Sequence, residues 1–441
     1  MEFRHPLKIP AVDNGKLKED DPLIRAIEAK DLETVRFLIE TNDKYKPRIQ
    51  EDPELLITAV SRENVELVEL LIHHGANVNA KSQEGPTPLS QAVALNNIEM
   101  TRLLISKGAD LKNDTESLIL AVEWDSKDVV EILLQNGANP NARGQGVEFA
   151  IFAKGFERCI NKLHRGRTAL HLAADWNQEE TLRLLLAYGA DVDRKTLNGH
   201  PAGTPLFIAV SKDRVDIVRV LLESDAVMDA YDFERAADHA ATLRRWHILE
   251  IFLDFFFNKP EISLESGIYH HPIVKRSILA DHPQPSKLRR HLFKAHAAEV
   301  KVPTNLKPLI NDIAVSYPEE YDACTLEIQP LKTQYIGDSD VTFFQLLVAD
   351  LNSLAVLARN DSISSGLELA VKEKKFPFYG SILTSQLRKG VARRDLMERG
   401  IALSPRLVPD FQLPDLVVER VLQYLSNKDI NAFIGACSLR K

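Results

Sequence analysis

The stretch TALHLAADWNQEETLRLLLAYGADVDR, residues 168–194, decides the fold of this chain. Threonine before an alanine-rich segment is a preferred residue for starting a helix. The glycine after the leucine-rich segment suits the left-handed residue with which many helices end. The pattern therefore predicts two short helices and a tight turn, in a unit of about 33 residues.

The same unit recurs along the first half of the chain. Two further helix starts, TPLSQAV at 87–93 and TPLFIAV at 204–210, carry proline at the first helical position, where its missing N–H costs nothing. Asparagine tolerates the left-handed conformation better than most residues, so Asn42 fits the position of the turn glycine and Asp225 fits it less well. In six segments the turn residue is, in order, Asn42, Gly75, Gly108, Gly137, Gly189 and Asp225, at spacings of 33, 33, 29, 52 and 36.

These residues resemble the ankyrin repeat family over about residues 21–257, where a seventh, degenerate unit, RAADHAATLRRWHILEIFLDF, ends the series. The resemblance implies an all-α solenoid of six to seven repeats that binds other proteins. A generic helical bundle is the alternative, but it would not reproduce turn, cap and period together. Residues 1–20 read as an N-terminal extension. The long spacing predicts an insertion near 145–165, which is either structural elaboration or part of the working face.

One column of the repeat changes its chemistry from unit to unit, which a purely structural position would not do. The resemblance places this column, two residues beyond the alanine pair of each first helix, on the concave groove. Tryptophan is enriched at binding hot spots, so Trp124 and Trp176 are the predicted centre of target binding. The alternative is that both indoles pack on the insertion. The column consists of Ala29, Arg62, Leu95, Trp124, Trp176, Lys212 and Leu243, of which Arg62, Leu95 and Lys212 complete the predicted target contacts.

Nothing in the sequence favours catalysis or a cofactor. His171 is expected to be the repeat's structural histidine, as the resemblance implies, and no histidine has the spacing of a helical metal site, so we expect no metal. The net charge of −8 disfavours nucleic acid as a partner. No apolar run approaches the roughly 20 residues that cross a membrane. We expect a monomeric, cytoplasmic protein, with the cytoplasm or nucleus of a host cell as alternatives.

Residues 258–309 lack the repeat and are rich in proline, which disfavours regular helix. They are predicted to form a connector with one short basic helix, KLRRHLFK. A solvated linker is favoured over a patch for acidic partners or nuclear import.

Helical spacing returns in residues 310–441, which predicts a second, smaller helical domain. Its last part, residues 413–441, is predicted to form two short helices. This tail resembles an F-box, with two departures: Leu416 stands where that family has an acid, and the pattern is truncated. The matching residues are Leu413, Pro414, Val417, Val421, Leu422, Leu425, Asp429 and Ile430.

A truncated F-box behind ankyrin repeats is similar to the PRANC domain of poxviral and host-associated ankyrin proteins. The stretches CTLEIQPL at 324, FPFYGSIL at 376 and RRDLMERG at 393 resemble that domain in order and spacing. The resemblance implies that the tail docks the Skp-type adaptor of a cullin-RING ubiquitin ligase while the groove selects the target. Alternatives are a sequestering or scaffolding protein, a cytokine-suppressor type of box that binds elongin, for which no cysteine motif is present, and a tail that only closes the domain.

Overall fold

The computed structural model describes residues 21–82, 86–144, 150–153, 156–159, 166–197, 203–224, 230–257, 286–300, 302–304, 306–403, 415–425 and 427–438. In these ranges the chain is helical apart from one short hairpin, which agrees with the predicted all-α class. Two compact units are present. One holds the described residues of Met1–Asn136 and Gln145–Leu163, and the other holds those of Gly137–Gly144 and His164–Lys441.

The first unit stacks the helix pairs of repeats 1–4. First helices pack on first helices, as α1 on α4, α4 on α6 and α6 on α8, while α7 packs on α9 among the second helices. Its helices are α1 (Pro22–Glu28), α2 (Leu32–Thr41), α3 (Tyr45–Glu51), α4 (Pro53–Ser61), α5 (Val65–His73), α6 (Pro88–Ala94), α7 (Ile98–Ser106), α8 (Ser117–Glu123) and α9 (Lys127–Gln135).

Short polar side chains start these helices, as the sequence predicts. Asn64 and Asn97 accept the backbone N–H groups of Leu67 and Met100, at 3.0 and 2.9 Å. Such caps satisfy N–H groups that have no partner within the helix and contribute about 1 kcal/mol each. Helices of seven to ten residues are too short to be stable alone, so their stability comes from the apolar stripes buried between repeats.

The predicted left-handed turn after the second helix is confirmed at every glycine of the series. Gly75, Gly108, Gly137 and Gly189 have φ of 95°, 93°, 94° and 85°. The prediction is wrong at Asn42, where φ is −138°.

Asn42 instead starts the next turn of the chain. Its side chain accepts the Lys44 N–H at 3.2 Å, and its carbonyl accepts the Tyr45 N–H at 3.1 Å, which leads directly into α3. This additional helix fills the place of the usual connection between the first two repeats. Asp225, the other non-glycine position, lies outside the described residues.

The predicted insertion near 145–165 contains an antiparallel hairpin of β1 (Ala150–Ala153) and β2 (Phe156–Cys159). Ala150 pairs with Cys159 and Ala153 with Phe156. The side chains of the insertion lie outside the described residues, so packing of an indole against it stays a prediction.

The second unit stacks repeats 5–7 in the same way. First helix α10 packs on α12 and α12 on α14, while second helices α11, α13 and α15 pack in series. Seven repeats are therefore present in the described residues, four in one unit and three in the other. The helices are α10 (Ala169–Asp175), α11 (Glu179–Ala187), α12 (Pro205–Ser211), α13 (Val215–Glu223), α14 (Ala230–Thr242) and α15 (Trp246–Phe255).

Among the residues that the structure describes, ten further helices follow in this unit. Three of them pack against the second helices of its repeats: α16 contacts α15, α23 contacts α13 and α15, and α25 contacts α11. The ten helices are α16 (Ser286–Ala297), α17 (Lys307–Ser316), α18 (Pro318–Leu326), α19 (Ile328–Thr333), α20 (Phe343–Val348), α21 (Leu351–Leu357), α22 (Asp361–Lys372), α23 (Gly380–Leu403), α24 (Asp415–Gln423) and α25 (Asn427–Ser438).

The basic segment KLRRHLFK is part of the core rather than a solvated linker, so that prediction is wrong. It lies in α16, which packs on α15 and α18, with Leu292 and Phe293 fully buried. Arg289, only 3% exposed, makes a bidentate ion pair with Glu320 at 2.9 and 3.0 Å and stacks over the Tyr317 ring. The apolar spacing of this segment buries one face, and its charges find partners within the fold. Residues 258–285 of the predicted connector lie outside the described residues.

Two of the sequence motifs in the C-terminal domain bind each other. Glu327 of CTLEIQPL accepts the backbone N–H groups of Phe378 and Tyr379 in FPFYGSIL, at 3.0 and 3.3 Å. The Tyr379 hydroxyl in turn donates to the Lys294 carbonyl in α16 at 3.1 Å. Burial raises the pKa of the Cys324 thiol to about 12, so this side chain is not a reactive nucleophile. The motifs hold α16, α18 and the start of α23 together.

Helices α21 and α23 approach each other closely at Gly390. A Cβ built on Gly390 would lie 2.7 Å from the Leu354 carbonyl carbon and closer still to its oxygen. Leu354 itself is 1% exposed. The lack of a side chain at position 390 is what allows the two helices to pack at this distance.

Candidate functional site

In all seven repeats the first helix ends in the same backbone turn, called here the inner turn. It consists of the residue after the helix, which is the variable column predicted from sequence, and the next residue, which is left-handed. The left-handed residues are Lys30, Glu63, Asn96, Asp125, Asn177, Asp213 and Arg244, with φ between 52° and 62°. None of them is a glycine, although this conformation costs other residues about 1–2 kcal/mol. The backbone of the inner turn is constant and its side chains vary.

The predicted target contacts of the first unit differ in exposure. Arg62 is exposed, with its guanidinium 3.8 Å from the Glu28 carboxylate. Trp124 is half-buried at the inner turn of repeat 4. Leu95 is only 7% exposed because it packs into the stack, so its prediction as a target contact is wrong. Of these residues, Arg62 lies on the surface of this unit and Trp124 reaches it only in part.

The predicted contacts of the second unit are both on the surface. Trp176 is 37% exposed. Lys212, at the same position of the next repeat, is exposed, and its ammonium lies 3.4 Å from Asp175. Asp175 also pairs with Arg167 at 2.9 Å, and its carbonyl accepts from the Arg214 guanidinium at 3.2 Å. The inner turn beside Trp176 is therefore held in place by cations from its own repeat and the next.

The same arrangement repeats one unit further along. Asp213 pairs with Arg245 at 2.9 Å and with the Nε2 of His247 at 2.7 Å. In the groove between these repeats, His239 stacks on Phe207, with ring centroids 4.3 Å apart, and its Nε2 lies 2.8 Å from the Ser211 hydroxyl. In this unit Asp175 and Asp213 are thus both paired with groups of the following repeat.

The opposite side of repeats 5–7 is covered. Helices α23 and α25 pack on second helices there, and the Arg399 guanidinium donates to the Ala187 carbonyl at the end of α11. The Lys389 ammonium donates to the Phe255 carbonyl and lies 4.3 Å from the centre of the Phe255 ring. Within this unit the inner turns follow first helices, whereas α23 and α25 pack on second helices.

His171 has the structural role predicted for it. Its Nδ1 accepts the Thr168 backbone N–H at 3.1 Å, and its Nε2 donates to the Gly203 carbonyl at 2.8 Å, which joins repeat 5 to the start of repeat 6. Burial lowers the pKa of His171 to about 4, so the ring is neutral at physiological pH. A neutral ring used to join two repeats is not a catalytic base.

Two asparagines also link consecutive repeats by hydrogen bonds, and the sequence analysis missed them. Asn79 donates to the Gly108 carbonyl at 3.0 Å and accepts the Asp110 N–H at 2.7 Å. Asn141 does the same to Gly189 and Asp191 in the second unit, at 3.0 and 2.6 Å. Both asparagines stand four residues after a repeat glycine, which was the available signal.

The predicted F-box-like residues fall into two groups. Leu422 and Ile430 are 1% and 0% exposed and pack with Val418 and Ile434 on α23, while Leu425 is partly buried there. Their prediction as free adaptor contacts is wrong, because these side chains form the core that docks α24 and α25.

The second group is on the surface. Val417 and Val421 are 43% and 54% exposed, and Tyr424, which the sequence reasoning missed, is 85% exposed. Their spacing of four and three residues places them on one face of the α24 segment. Asp429 is also exposed. Leu413 and Pro414 lie outside the described residues.

Arg393 of the RRDLMERG motif fixes this helix pair. It is 1% exposed, and its guanidinium donates to the carbonyls of Leu422 and Leu425 at 3.0 and 2.7 Å and to the Asn427 side chain at 2.8 Å. It therefore satisfies the last carbonyls of α24 and holds the start of α25. The sequence singled out this motif without indicating its role.

A cleft of about 740 Å³ lies between α11 and α13 on one side and α22 and α23 on the other. Arg183, Arg219 and Arg388 line it together with Glu179 and Glu223, and burial raises the pKa of Glu223. Mixed charges of this kind give no net attraction for an anion or a cation. Among the described residues, no cluster of three or more His, Cys, Asp or Glu side chains could hold a metal, and no helix is long and apolar enough to span a membrane.

Comparison with known families identifies the repeated unit. The family described as ankyrin repeats (three copies) matches residues 7–82, 55–144 and 145–232, which together cover about half of the chain. The match ends at residue 232, so it concerns the repeats and not the tail helices.

Three curated proteins show the same similarity. Human rabankyrin-5 is 35% identical over 83 residues, which is 19% of this chain and 6% of that protein. Mouse rabankyrin-5 is 30% identical over 108 residues, or 23% and 8%. An ankyrin repeat protein of fowlpox virus (strain NVSL) is 30% identical over 116 residues, or 26% of this chain and 80% of that protein. The chain thus spans less than a tenth of either rabankyrin-5, but most of the viral relative.

Proposed function

Because this chain belongs to the ankyrin-repeat family, we propose that it is an adaptor whose inner turns hold a target protein while its C-terminal helix pair recruits a Skp-type adaptor of a cullin-RING ubiquitin ligase. Ankyrin repeats bind proteins, and protein binding needs no active site. The observation that carries the proposal is the inner turn, which has one backbone conformation in seven repeats and a different pair of side chains in each. Such a surface can be specific without any change of the scaffold.

The exposed tryptophan supports the target-binding part of the proposal. Trp176 offers a large, rigid surface beside cations that are already held in place, and preorganised side chains lose little entropy on binding. Trp124 offers a similar surface in the first unit. We assign the target contacts to these two indoles with Arg62 and Lys212.

Affinity capture with alanine variants tests this assignment. The full chain is used as bait, captured proteins are identified by mass spectrometry, and binding of the most enriched one is then measured. We expect Trp176→Ala to weaken that binding by about 2 kcal/mol, or roughly 30-fold, as for a hot-spot residue. Trp246→Ala, in α15, is the matched control. Unchanged binding in both Trp124→Ala and Trp176→Ala, with the melting temperature preserved, would refute the assignment.

The C-terminal helix pair supports the second part of the proposal, which is recruitment of a Skp-type adaptor. Residues Val417, Val421 and Tyr424 form an exposed apolar stripe on a helix that is firmly docked through its other face. Exposed apolar side chains at this spacing on one helix are typical of a protein contact. The stripe includes two of the residues that match the F-box pattern, so we propose that it contacts the adaptor, with Asp429 at the edge of the contact.

Surface variants test the tail better than a deletion does. Removing residues 413–441 would uncover Leu396 and Met397, which the tail helices bury, and would disturb the domain itself. We expect Val417→Asp with Val421→Asp to abolish co-elution with a purified Skp-type adaptor. Leu369→Asp, at a 56% exposed leucine of α22, should not affect it. Co-elution that survives the double variant excludes the stripe as the docking site.

A sequestering protein without ligase recruitment is the second candidate. It is favoured by the burial of Leu422 and Ile430, because fewer of the F-box-like residues are then available to an adaptor. The two functions differ in the fate of the target. Expression of the chain should lower the abundance of a target recruited to a ligase, in a proteasome-dependent way, and should leave a sequestered target at its former level.

A further inference from the structure

The inner turns of repeats 6 and 7 carry positive charge, although the whole chain has a net charge of −8. Lys212 and Arg214 flank the turn of repeat 6, and Arg244 and Arg245 follow the first helix of repeat 7. We call these four residues the basic band. Arg214 and Arg245 stand at the same place in consecutive repeats, directly after the left-handed residue, while Lys212 and Arg244 lie within the inner turns themselves.

The two acids within this region are already neutralised. Asp175 is paired with Arg167 at 2.9 Å and with Lys212 at 3.4 Å, and Asp213 is paired with Arg245 at 2.9 Å and with His247 at 2.7 Å. Asp175 thus faces two cations, and Asp213 faces one cation and an imidazole, so neither acid leaves uncompensated negative charge at these turns.

The remaining cations of the band are not used by these acids. Arg214 donates to a neutral backbone carbonyl, that of Asp175. Arg244 is exposed, and among the described residues no acid forms an ion pair with it. An anion that approached this surface would meet the Arg214 guanidinium, held on the Asp175 carbonyl, and the exposed Arg244 guanidinium, and this group suits carboxylate recognition.

The loop before repeat 6 adds to the charge. The Arg143 guanidinium donates to the carbonyls of Gly166 and Lys195, at 2.8 Å each, so it lies against this loop. Burial and the neighbouring charge of Arg194 lower the pKa of Arg143, while the charge of Asp191 in the same loop acts in the opposite direction. Arg194 and Lys195 are both exposed.

Two apolar side chains stand in the same column. Trp176 is 37% exposed and Leu243, at the same position two repeats later, is 40% exposed. Each thus offers an apolar contact beside cationic groups. A partner that matches this surface carries carboxylates and at least one large apolar side chain.

We propose, on the basis of the target-binding role proposed above, that the inner turns of repeats 5–7 recognise an acidic segment of the target protein with a large apolar residue seated on Trp176. The carboxylates of the segment pair with Arg244, Arg214 and Lys212. The first unit is not suited to the same segment, because Glu28, Asp31, Glu123 and Asp125 surround its inner turns.

Peptide binding to the full chain tests the proposal directly. The probe is a fluorescein-labelled peptide of alternating glutamate and serine with one central leucine, followed by fluorescence anisotropy. Control peptides replace glutamate by lysine, or the leucine by serine. We expect the acidic peptide with leucine to bind best, and raising the salt from roughly 0.05 to about 0.3 M should weaken it several-fold, since the contacts are near the surface.

The chain provides a matched pair of charge variants. Arg244 and Lys30 are the left-handed residues of the inner turns in repeats 7 and 1, and both have a φ of 57°. A glutamate already occupies this conformation at Glu63, so substitution by glutamate should be tolerated at both places. We expect Arg244→Glu to weaken the acidic peptide about fivefold, as reversal of one surface charge does, and Lys30→Glu to have no effect.

The outcomes separate this inference from the proposed function. Absence of binding, equal binding of the lysine peptide, or equal effects of the two variants would overturn the acidic-segment proposal. An oligonucleotide that displaces the peptide at lower concentration would overturn it in favour of nucleic acid. If Trp176→Ala abolishes binding of the captured target and Arg244→Glu leaves that binding unchanged, the target-binding role stands. Only the claim that the bound segment is acidic is then refuted.

Discussion

The close packing of α21 on α23 leads to a quantitative prediction at Gly390. Replacing this glycine by alanine places a Cβ 2.7 Å from the Leu354 carbonyl carbon, whereas ordinary contact begins at 3.4 Å. The obstacle is backbone, so it cannot rotate away, and the two helices must separate by at least about 0.7 Å. A gap of this size forfeits a quarter to a half of the local dispersion energy.

The expected magnitude combines two opposite effects. Overpacking of this kind costs about 1–3 kcal/mol, and a rigid obstacle belongs at the upper end of that range. Alanine recovers about 1 kcal/mol because it favours the helix over glycine. We therefore expect Gly390→Ala to destabilise the C-terminal helices by about 2 kcal/mol.

Gly380, on the same helix, is the matched control because a Cβ there would meet nothing within 4 Å. Gly380→Ala should be neutral or slightly stabilising. Urea unfolding followed by circular dichroism, with hydrogen exchange of the α21 and α23 peptides, measures both variants. If Gly390→Ala is as stable as Gly380→Ala, with unchanged exchange in α21, the close approach does not limit packing and the reasoning fails.

Two further predictions concern buried polar groups. Arg393→Met should destabilise the packing of α24 and α25 by about 3–5 kcal/mol, because the carbonyls of Leu422 and Leu425 lose their donor inside the domain. Limited proteolysis should then cut this variant first near residue 426. Arg394→Met is the control. The second prediction concerns pH and His171, whose pKa is about 4 in the folded protein against an ordinary histidine value of 6.5. Because the unfolded chain takes up this proton first, the contribution is complete above pH 6.5 and falls by roughly 3 kcal/mol as the pH drops to about 4. The stability of His171→Gln should fall less steeply over this interval in parallel urea titrations, and equal slopes would contradict the assigned burial.

The local features of the fold were predictable because they depend on neighbours in sequence. Glycine was the signal for four left-handed turns, and all four are present. Asn42 failed because asparagine has a second option, capping the next turn through its side chain, and the sequence does not say which option the following helix selects. The exposure of Leu95 could not be read from its position, since it depends on how closely the neighbouring repeats pack.

The C-terminal domain was less predictable because its contacts join distant residues. The Tyr379 hydroxyl binds the Lys294 carbonyl across 85 positions, and Arg289 finds Glu320 across 31. Composition indicated a basic linker, but these pairings turn it into a core helix. In the tail, the apolar pattern predicted an amphipathic helix and could not tell which of its two apolar rows faces inward. Leu422 and Val421 are adjacent in sequence and lie on opposite sides of that division.

The contacts of α23 and α25 with the repeats limit how this half of the array can change in length. Arrays of stacked units commonly gain or lose a unit, since each contacts only its neighbours. Here Arg399 is tied to Ala187 in repeat 5, while Lys389, on the same helix, is tied to Phe255 in repeat 7. A unit added or deleted between these two anchor points would shift one of them by a full repeat relative to a helix of constant length. Duplication of a unit is therefore compatible with both contacts only outside this span.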